Sequence, residues 1–162
     1  MKRQIIVILS AIFLAFIFTA CDSKADPASD FEFKEKNSEI TIIKYIGDKS
    51  KIVIPTKING MPVTSIGKGA FRGLTFLESV TIPHGFVKIE EYAFCDNDSL
   101  TDVAIPRSVI EIGSGAFAGC TSLVSINFPK SINAIGSGVF YDCTLLKNVI
   151  LPPNPHARSA PQ

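Results

Sequence analysis

The sequence predicts a solenoid of stacked coils, because one phrase recurs along it at a fixed spacing. Its leading prolines lie 23 residues apart, at Pro83, Pro106, Pro129 and Pro152. An apolar pair keeps the same register, as Ala93-Phe94, Ala116-Phe117 and Val139-Phe140. A leucine does so too, at Leu100, Leu123 and Leu146. A period of about 20–29 residues with leucines in register is typical of a leucine-rich-repeat solenoid, here a β-rich form of the α/β repeat class.

Each 23-residue coil is predicted to contribute one short parallel strand. The phrase Leu-x-x-Val-x-Ile alternates apolar and polar residues as a half-buried strand does, and the proline after it ends the hydrogen-bonded ladder. Apolar columns should stack from coil to coil, for example Phe86, Val109 and Ile132. Such a coil buries its apolar faces only against neighbouring coils, so the repeats must fold together. Glycines that follow a buried isoleucine, at Gly67, Gly113 and Gly136, are predicted to adopt positive φ.

The repeats are predicted to occupy residues 55–152, preceded by capping strands over 31–54. Within that cap, Ile40–Ile46 and Lys51–Ile54 are strand-like runs joined across residues 47–50, which indicates a hairpin covering the first coil. The first repeat is stretched by a five-residue insertion around residues 59–63. A proline-rich tail occupies 153–162. Three interpretations of it are open: an extended segment that covers the last coil, an edge that stays open, or a shortened version of a longer repeat array.

The N-terminus has the features of an export signal. Lys2 and Arg3 precede a 14-residue apolar run, shorter than the roughly 20 residues that span a bilayer. We therefore interpret residues 1–20 as a lipoprotein signal peptide and residues 21–30 as a flexible tether. The alternative is that the apolar run is a permanent membrane helix. Phe18-Thr19-Ala20-Cys21 resembles a relaxed bacterial lipobox, similar to those of spirochaete lipoproteins, in which Cys21 would be lipidated. The alternative is cleavage elsewhere without lipid.

From Ile40 onward the motifs resemble a known family. Val53-Ile54-Pro55, the run from Ile58 to Gly67 and Gly69-Ala70-Phe71 are similar to the opening of BspA-like leucine-rich-repeat proteins, and the 23-residue unit to the treponemal type of repeat. The resemblance covers residues 31–152. It implies a curved β-rich solenoid on a bacterial surface or in the periplasm, and binding to host proteins such as fibronectin and fibrinogen or between bacteria. It implies no catalytic residues.

Charge and composition weigh against several classes of function. Removal of the signal, with Lys2 and Arg3, leaves 14 of 16 basic residues against 15 acidic ones, so the mature chain is near −1. The chain contains no dense basic patch, so we expect no nucleic-acid partner. The two histidines, His84 and His156, offer little to a catalytic triad. We expect no enzyme activity and no cofactor.

Three cysteines in the repeats raise the question of a disulfide or a metal site. Cys120 and Cys143 fall in one column of adjacent coils, about 4.8 Å apart at the strand spacing, which is within disulfide range. The alternative is a ladder of small buried residues that also includes Leu74 and Asn97. Cys95 is offset from that column, so we expect no metal site. The run from Asp96 to Ser99 lacks the spacing of a calcium loop and is typical of a solvated turn.

The candidate binding face is the row of outward strand positions. These residues are small and mostly polar, which favours a broad, weak or multivalent protein contact over a tight pocket. The row comprises Glu78, Ser79, Thr81, Thr101, Asp102, Ala104, Val124, Ser125, Asn127, Lys147, Asn148 and Ile150. Tyr92 and Tyr141 are further candidates for exposed contact residues.

The sequence therefore predicts a non-enzymatic lipoprotein, held on a bacterial membrane through Cys21. Its solenoid would bind a host matrix protein or a bacterial surface protein at the cell surface. The alternative is a periplasmic structural or assembly factor with no host ligand. The sequence leaves the oligomeric state open.

Overall fold

The computed structural model describes residues 25–151, and these form a succession of short strands with almost no helix. A single turn of 3-10 helix, Ala28–Asp30, precedes the strands. The strands are β1 Phe31–Lys36, β2 Glu39–Tyr45, β3 Lys51–Val53, β4 Lys57–Ile58, β5 Met61–Ile66, β6 Ser79–Thr81, β7 Lys88–Ile89, β8 Asp102–Ala104, β9 Glu111–Ile112, β10 Ser125–Asn127, β11 Ala134–Ile135 and β12 Asn148–Ile150.

The coils stack through parallel strands, as the repeat predicts, but each full coil contributes a second strand, so two sheets form. Sheet 1 holds the strand that precedes each proline, in a three-stranded piece β3-β6-β8 and a two-stranded piece β10-β12. Sheet 2 runs β1-β2-β5-β7-β9-β11, with β4 paired to β5. Four full coils alternate between the sheets, and β12 begins a fifth. Pairing joins residues 23 apart, for example Val80 with Val103, so the sequence period is the register of the sheet.

An N-terminal hairpin caps the stack, but it pairs different strands from those that the apolar runs indicated. β1 and β2 are antiparallel and joined at Asn37-Ser38, whose φ values of 53° and 60° are those of a tight hairpin turn. β3 instead begins sheet 1, parallel to β6. The alternation in β1 is weak because only Phe31 and Phe33 are apolar, and this concealed the strand.

The insertion in the first repeat forms a second small hairpin. β4 and β5 pair antiparallel across Asn59-Gly60, both at positive φ. The extra residues therefore project from the coil without shifting its register. Ser65 and Ile66 still pair with Lys88 and Ile89 of the next coil.

The predicted tether, residues 21–30, is described from Ala25 onward. Asp26 is buried: its amide donates to the Val53 carbonyl at 2.8 Å, its carboxylate accepts from the Val53 amide at 2.8 Å, and it forms an ion pair with Lys49. The Ile46 amide donates to the Asp30 carbonyl at 2.8 Å. Residues 26–30 thus lie against the first coil, whereas residues 21–24 are outside the described range.

Aromatic rings form the centre of the core. Tyr45 stacks on Phe71, and rings of successive coils follow at centroid distances of 5.0, 5.4 and 6.3 Å, from Phe71 through Phe94 and Phe117 to Phe140. The backbone of this column is bonded in the same way, since the amides of Phe71, Phe94 and Phe117 each donate to a carbonyl in the next coil. One column therefore joins every coil to its neighbour through both side chain and backbone.

The glycines that follow the buried isoleucines do not have positive φ, so that prediction was wrong. Positive φ falls two residues later, at Gly69, Tyr92, Gly115 and Gly138. Glycine is required at position 113 for a different reason, namely space. A Cβ there would lie 2.4 Å from the Glu91 amide nitrogen of the preceding coil. At these positions backbone packs directly on backbone between coils.

Replacement of Phe94 by alanine should destabilise the whole solenoid, because Phe94 is fully buried between two stacked rings. We expect a loss of about 3–5 kcal/mol in the free energy of unfolding, measured by urea denaturation. Phe76→Ala is the control, since Phe76 is 41% exposed and should cost less than about 1 kcal/mol. Equal losses for the two variants would contradict a core built on this column.

Candidate functional site

The predicted binding residues lie together on the outer surface of sheet 1, which we call the strand face. Along β6, β8 and β10 the central residue is buried and the flanking residues face outward, whereas all three residues of β12 are exposed. All twelve predicted positions are exposed except Ser79, which is partly buried. Register aligns them in rows: Ser79 lies beside Asp102, and Thr81 beside Ala104.

The same alignment holds in the second half of the strand face. Ser125 lies beside Asn148, and Asn127 beside Ile150. A third row precedes the strands and comprises Glu78, Thr101, Val124 and Lys147. The Thr101 amide donates to the Glu78 carbonyl at 3.0 Å, and the Lys147 amide donates to the Val124 carbonyl at 3.0 Å. β8 and β10 are neighbours, so the two halves form one continuous surface.

The strand face is nearly neutral and has few charges. Glu78 forms an exposed ion pair with Lys51 at 3.6 Å, while Asp102 and Lys147 stand apart from it on other coils. Two positive and two negative charges over the whole face create no strong field. Contact with a partner would therefore depend on shape and many short polar groups, with little electrostatic steering.

Tyr92 and Tyr141 are exposed, but they lie in the turns after sheet 2 and away from the strand face. The Lys68 amine and the Arg72 guanidinium each lie 6.0 Å from the centre of the Tyr92 ring, within the range of cation–π attraction. Arg72 also pairs with Asp96 at 3.1 Å. Tyr92 is thus part of a surface cluster that ties the first coil to the second.

A charged groove on sheet 2 was missed by the sequence reasoning. It encloses about 410 Å³, walled by Lys68, Lys88 and Glu91 and floored by the small residues around Gly113 and Gly136. The ion pairs Lys68–Glu91, at 2.9 Å, and Lys88–Glu111, at 2.8 Å, cross between coils. The 23-residue spacing of Lys88 and Glu111 is the signal that could have revealed it.

The cysteines form a ladder of buried residues. The Cys120 thiol donates to the Phe94 carbonyl and the Cys143 thiol to the Phe117 carbonyl, each at 3.1 Å, and both thiols are free. Asn97 occupies the same column one coil earlier, and its amide donates to the carbonyls of Phe71 and Phe94. Each of these residues therefore satisfies the carbonyl of the phenylalanine 26 residues before it.

Burial in the core raises the pKa of the Cys120 thiol to about 12 and that of the Cys143 thiol to about 11. Burial, and then the neighbouring Asp96, also raise the pKa of Cys95. A thiol that stays protonated at neutral pH is a poor nucleophile and a poor metal ligand. Within residues 25–151 no cluster of three or more His, Cys, Asp or Glu side chains could hold a metal ion.

The run from Asp96 to Ser99 does not form a cation site. Asn97 is fully buried and Asp96 is paired with Arg72, so the side-chain oxygens of this run do not converge on one point. His84 is exposed beside Pro83. Cys21 and His156 lie outside the described residues. Over the described part of the chain, no helix is both long enough and apolar enough to cross a bilayer.

Over the described residues, stacked coils with parallel strands, an apolar interior and a solvent-exposed strand face define the class of the leucine-rich-repeat solenoids, proteins that generally serve as binding scaffolds. The chain belongs to the BspA type leucine rich repeat region family, whose model matches residues 44–157 in six copies. No curated protein matches the chain.

Solved structures of bacterial leucine-rich-repeat proteins share this fold. A Treponema pallidum leucine rich repeat protein superposes with a TM-score of 0.67 at 30% identity, over 80% of this chain and 72% of that one. A leucine-rich repeat protein from Bacteroides capillosus gives a TM-score of 0.68 at 28% identity, over 75% of this chain and 93% of that one. A leucine rich cell surface protein from Faecalibacterium prausnitzii gives a TM-score of 0.64 at 27% identity, over 82% of this chain and 44% of that one.

Asn97→Ala should destabilise the fold, because the Phe71 carbonyl then loses its side-chain donor inside the core. An unsatisfied buried carbonyl costs about 1–3 kcal/mol, and urea denaturation measures the change. Asn97→Cys is the matched variant, since cysteine fills this column in the next coils and keeps one donor. It should lose less than alanine does; if the two variants unfold alike, the donor has no role.

Alkaline pH should destabilise the protein through Cys120. Its folded pKa of about 12 exceeds the ordinary value of 9.0, so the folded state holds the proton more tightly. Stability is therefore complete below pH 9 and falls as pH rises towards 12, by up to about 1.4 kcal/mol per pH unit for this thiol. Cys120→Ser, which keeps a donor without titrating there, should flatten the decline; an unchanged slope in urea denaturation would contradict this assignment.

Proposed function

We propose that this chain is a membrane-anchored bacterial lipoprotein that binds a protein partner through the strand face. The observation that carries this is the continuous surface along β6, β8, β10 and β12, on which all twelve predicted positions lie and eleven of them are exposed. A broad surface of short polar side chains suits another folded protein or an extended protein segment. Adhesion to a host matrix protein or to a bacterial surface protein is the function that it supports best.

The chemistry of the described residues supports a binding role without catalysis. The shifted pKa values belong to ion-paired groups such as Lys68 and Glu91, to thiols whose pKa burial raises, and to the Tyr45 phenol, whose pKa burial also raises. None of these groups supplies a nucleophile beside a base. The groove on sheet 2 has its lysines paired to carboxylates of adjacent coils, and these pairs join the coils together.

The membrane anchor is proposed from the N-terminal sequence. Lys2 and Arg3, the 14-residue apolar run and Cys21 support export, cleavage after Ala20 and lipidation of Cys21. Several acyl chains on one cysteine bind a bilayer firmly, at about 0.8 kcal/mol for each buried CH₂ group. The F. prausnitzii protein of similar fold is a cell surface protein, and this supports export of the present chain.

The location of the protein distinguishes adhesion from the alternative, a periplasmic structural or assembly factor. Intact mass of the protein from its own membrane should equal residues 21–162 plus acyl chains. Protease added to intact cells should then digest it, if it faces outward. An unmodified chain would remove the anchor, and a lipidated but protected chain would favour the periplasmic role.

Bulky charge at the centre of the strand face should weaken partner binding. Ala104 and Asn127 are exposed in adjacent coils, so Ala104→Arg with Asn127→Arg should reduce binding to immobilised fibronectin or fibrinogen by at least about tenfold. Surface plasmon resonance measures the change. The control is Ala134→Arg, an equally small exposed residue on sheet 2. A loss caused by the control alone would place the binding surface elsewhere.

A further inference from the structure

Tyr92 has a backbone conformation that the other coils give to glycine. Its φ is 55°, and the equivalent residues of the other coils are Gly69, Gly115 and Gly138, all at positive φ. Among the described residues, the other non-glycine residues with positive φ are Asn, Asp and Ser, which tolerate it better than a bulky side chain does. Backbone strain of this kind is concentrated at functional sites. The repeat itself does not require a tyrosine here, so its ring needs a different explanation.

The ring of Tyr92 is held in place and is still accessible. A Cβ on Gly115 would lie 2.5 Å from a ring carbon, so this glycine leaves space for the ring in the next coil. Lys68 and Arg72 of the preceding coil lie 6.0 Å from the ring centre. Tyr92 is nevertheless 40% exposed. A ring that is already ordered loses little conformational freedom when a ligand contacts it, and this favours binding.

Tyr92 lies beside the charged groove of sheet 2. Lys68 contacts the ring and also lines the groove, and the Tyr92 amide donates to the carbonyl of Ser114, which lines the groove too, at 3.0 Å. The groove encloses about 410 Å³ and includes the glycine backbone at Gly113. Sites for small ligands commonly enclose about 300–1,000 Å³. We call the groove together with Tyr92 the sheet 2 site.

The walls of the sheet 2 site offer both donors and acceptors. Lys68 pairs with Glu91 at 2.9 Å, and Lys88 pairs with Glu111 at 2.8 Å. These four side chains are between 39% and 67% exposed, so a ligand can reach them. An ammonium group has three donors and a carboxylate about four acceptor positions, of which one ion pair uses a small part. Each pair therefore keeps donors and acceptors for a ligand.

We propose that the sheet 2 site binds a neutral oligosaccharide. A charged ligand would meet charges of its own sign, because two lysines and three glutamates line the groove. An apolar ligand would take solvent from the ion pairs and give no hydrogen bond in return. A sugar hydroxyl accepts from an ammonium group and donates to a carboxylate, and the C–H face of a sugar ring packs against an aromatic side chain. The site lies away from the strand face, so this proposal does not depend on protein binding there.

Frontal affinity chromatography on the immobilised full chain, kept in detergent, tests the proposal. The probes are three neutral oligosaccharides, maltotetraose, cellotetraose and chitotetraose, with a heparin tetrasaccharide as the acidic comparison. We expect the column to retain at least one of the neutral probes. Added salt should change that retention little, because the ligand carries no charge for the salt to screen.

Tyr92→Gly separates binding from folding. Glycine adopts positive φ without strain, so this variant should unfold at a urea concentration close to that of the unaltered chain. The dissociation constant of the retained probe should nevertheless rise at least about tenfold. Glu111→Ala, which removes acceptors from the groove wall, should raise it about threefold or more. Tyr141→Ala is the matched control and should leave it unchanged, because Tyr141 is exposed in a later turn and does not line the groove.

Four outcomes would overturn the proposal. Retention of no neutral probe by the folded protein would show that the site does not take sugars. Retention of heparin alone, abolished by salt, would show that charge is what the surface recognises. An equal loss in Tyr141→Ala and Tyr92→Gly would exclude a specific role for the Tyr92 ring. A loss in the strand-face variant Ala104→Arg with Asn127→Arg, but not in Tyr92→Gly, would place the sugar on the strand face.

Discussion

The stacking of coils one strand spacing apart is the constraint on which the rest of the structure depends. A single coil contains two strands of two or three residues, which cannot satisfy their own backbone groups. Each strand therefore pairs with the strand of the next coil, about 23 positions away, as the register of Val80 with Val103 illustrates. The period of the sequence is thus a requirement of hydrogen bonding. A side chain that breaks a column affects two interfaces at once, and this explains why the apolar positions recur so strictly.

The same constraint explains the polar and small residues of the interior. Turns between strands leave carbonyls that point into the core, and a column of Asn97, Cys120 and Cys143 supplies their donors. Where two coils approach most closely, at Gly113 and Gly136, a Cβ would lie within 2.4 Å of backbone nitrogen, so glycine is needed for space. The second coil has Glu90 in that column, and its carboxylate accepts from the Lys68 amide at 3.0 Å.

The repeat made the solenoid, its core columns and the outward strand positions predictable, since all three follow from one period. The features outside the period were harder to predict. The pairing of β1 with β2 depends on a turn at Asn37-Ser38, and β1 has only two apolar residues to mark it. The groove on sheet 2 arises from contrast between coils, because large charged residues at Lys88 and Glu91 stand beside small ones at Gly113 and Ala134. A comparison of the repeats finds what the coils share, so it does not reveal a difference in side-chain size between neighbouring coils.

The burial of Asp26 sets the height of the solenoid above a membrane. Five residue steps separate Cys21 from Asp26, and a fully extended chain covers about 3.4 Å per step, or roughly 17 Å. Six strands of sheet 2 at about 4.8 Å spacing add roughly 24 Å. With Cys21 lipidated as proposed, the far end of the stack would reach at most on the order of 40 Å from the headgroups. A protein partner of this anchored chain would then have to approach the bilayer to within that distance.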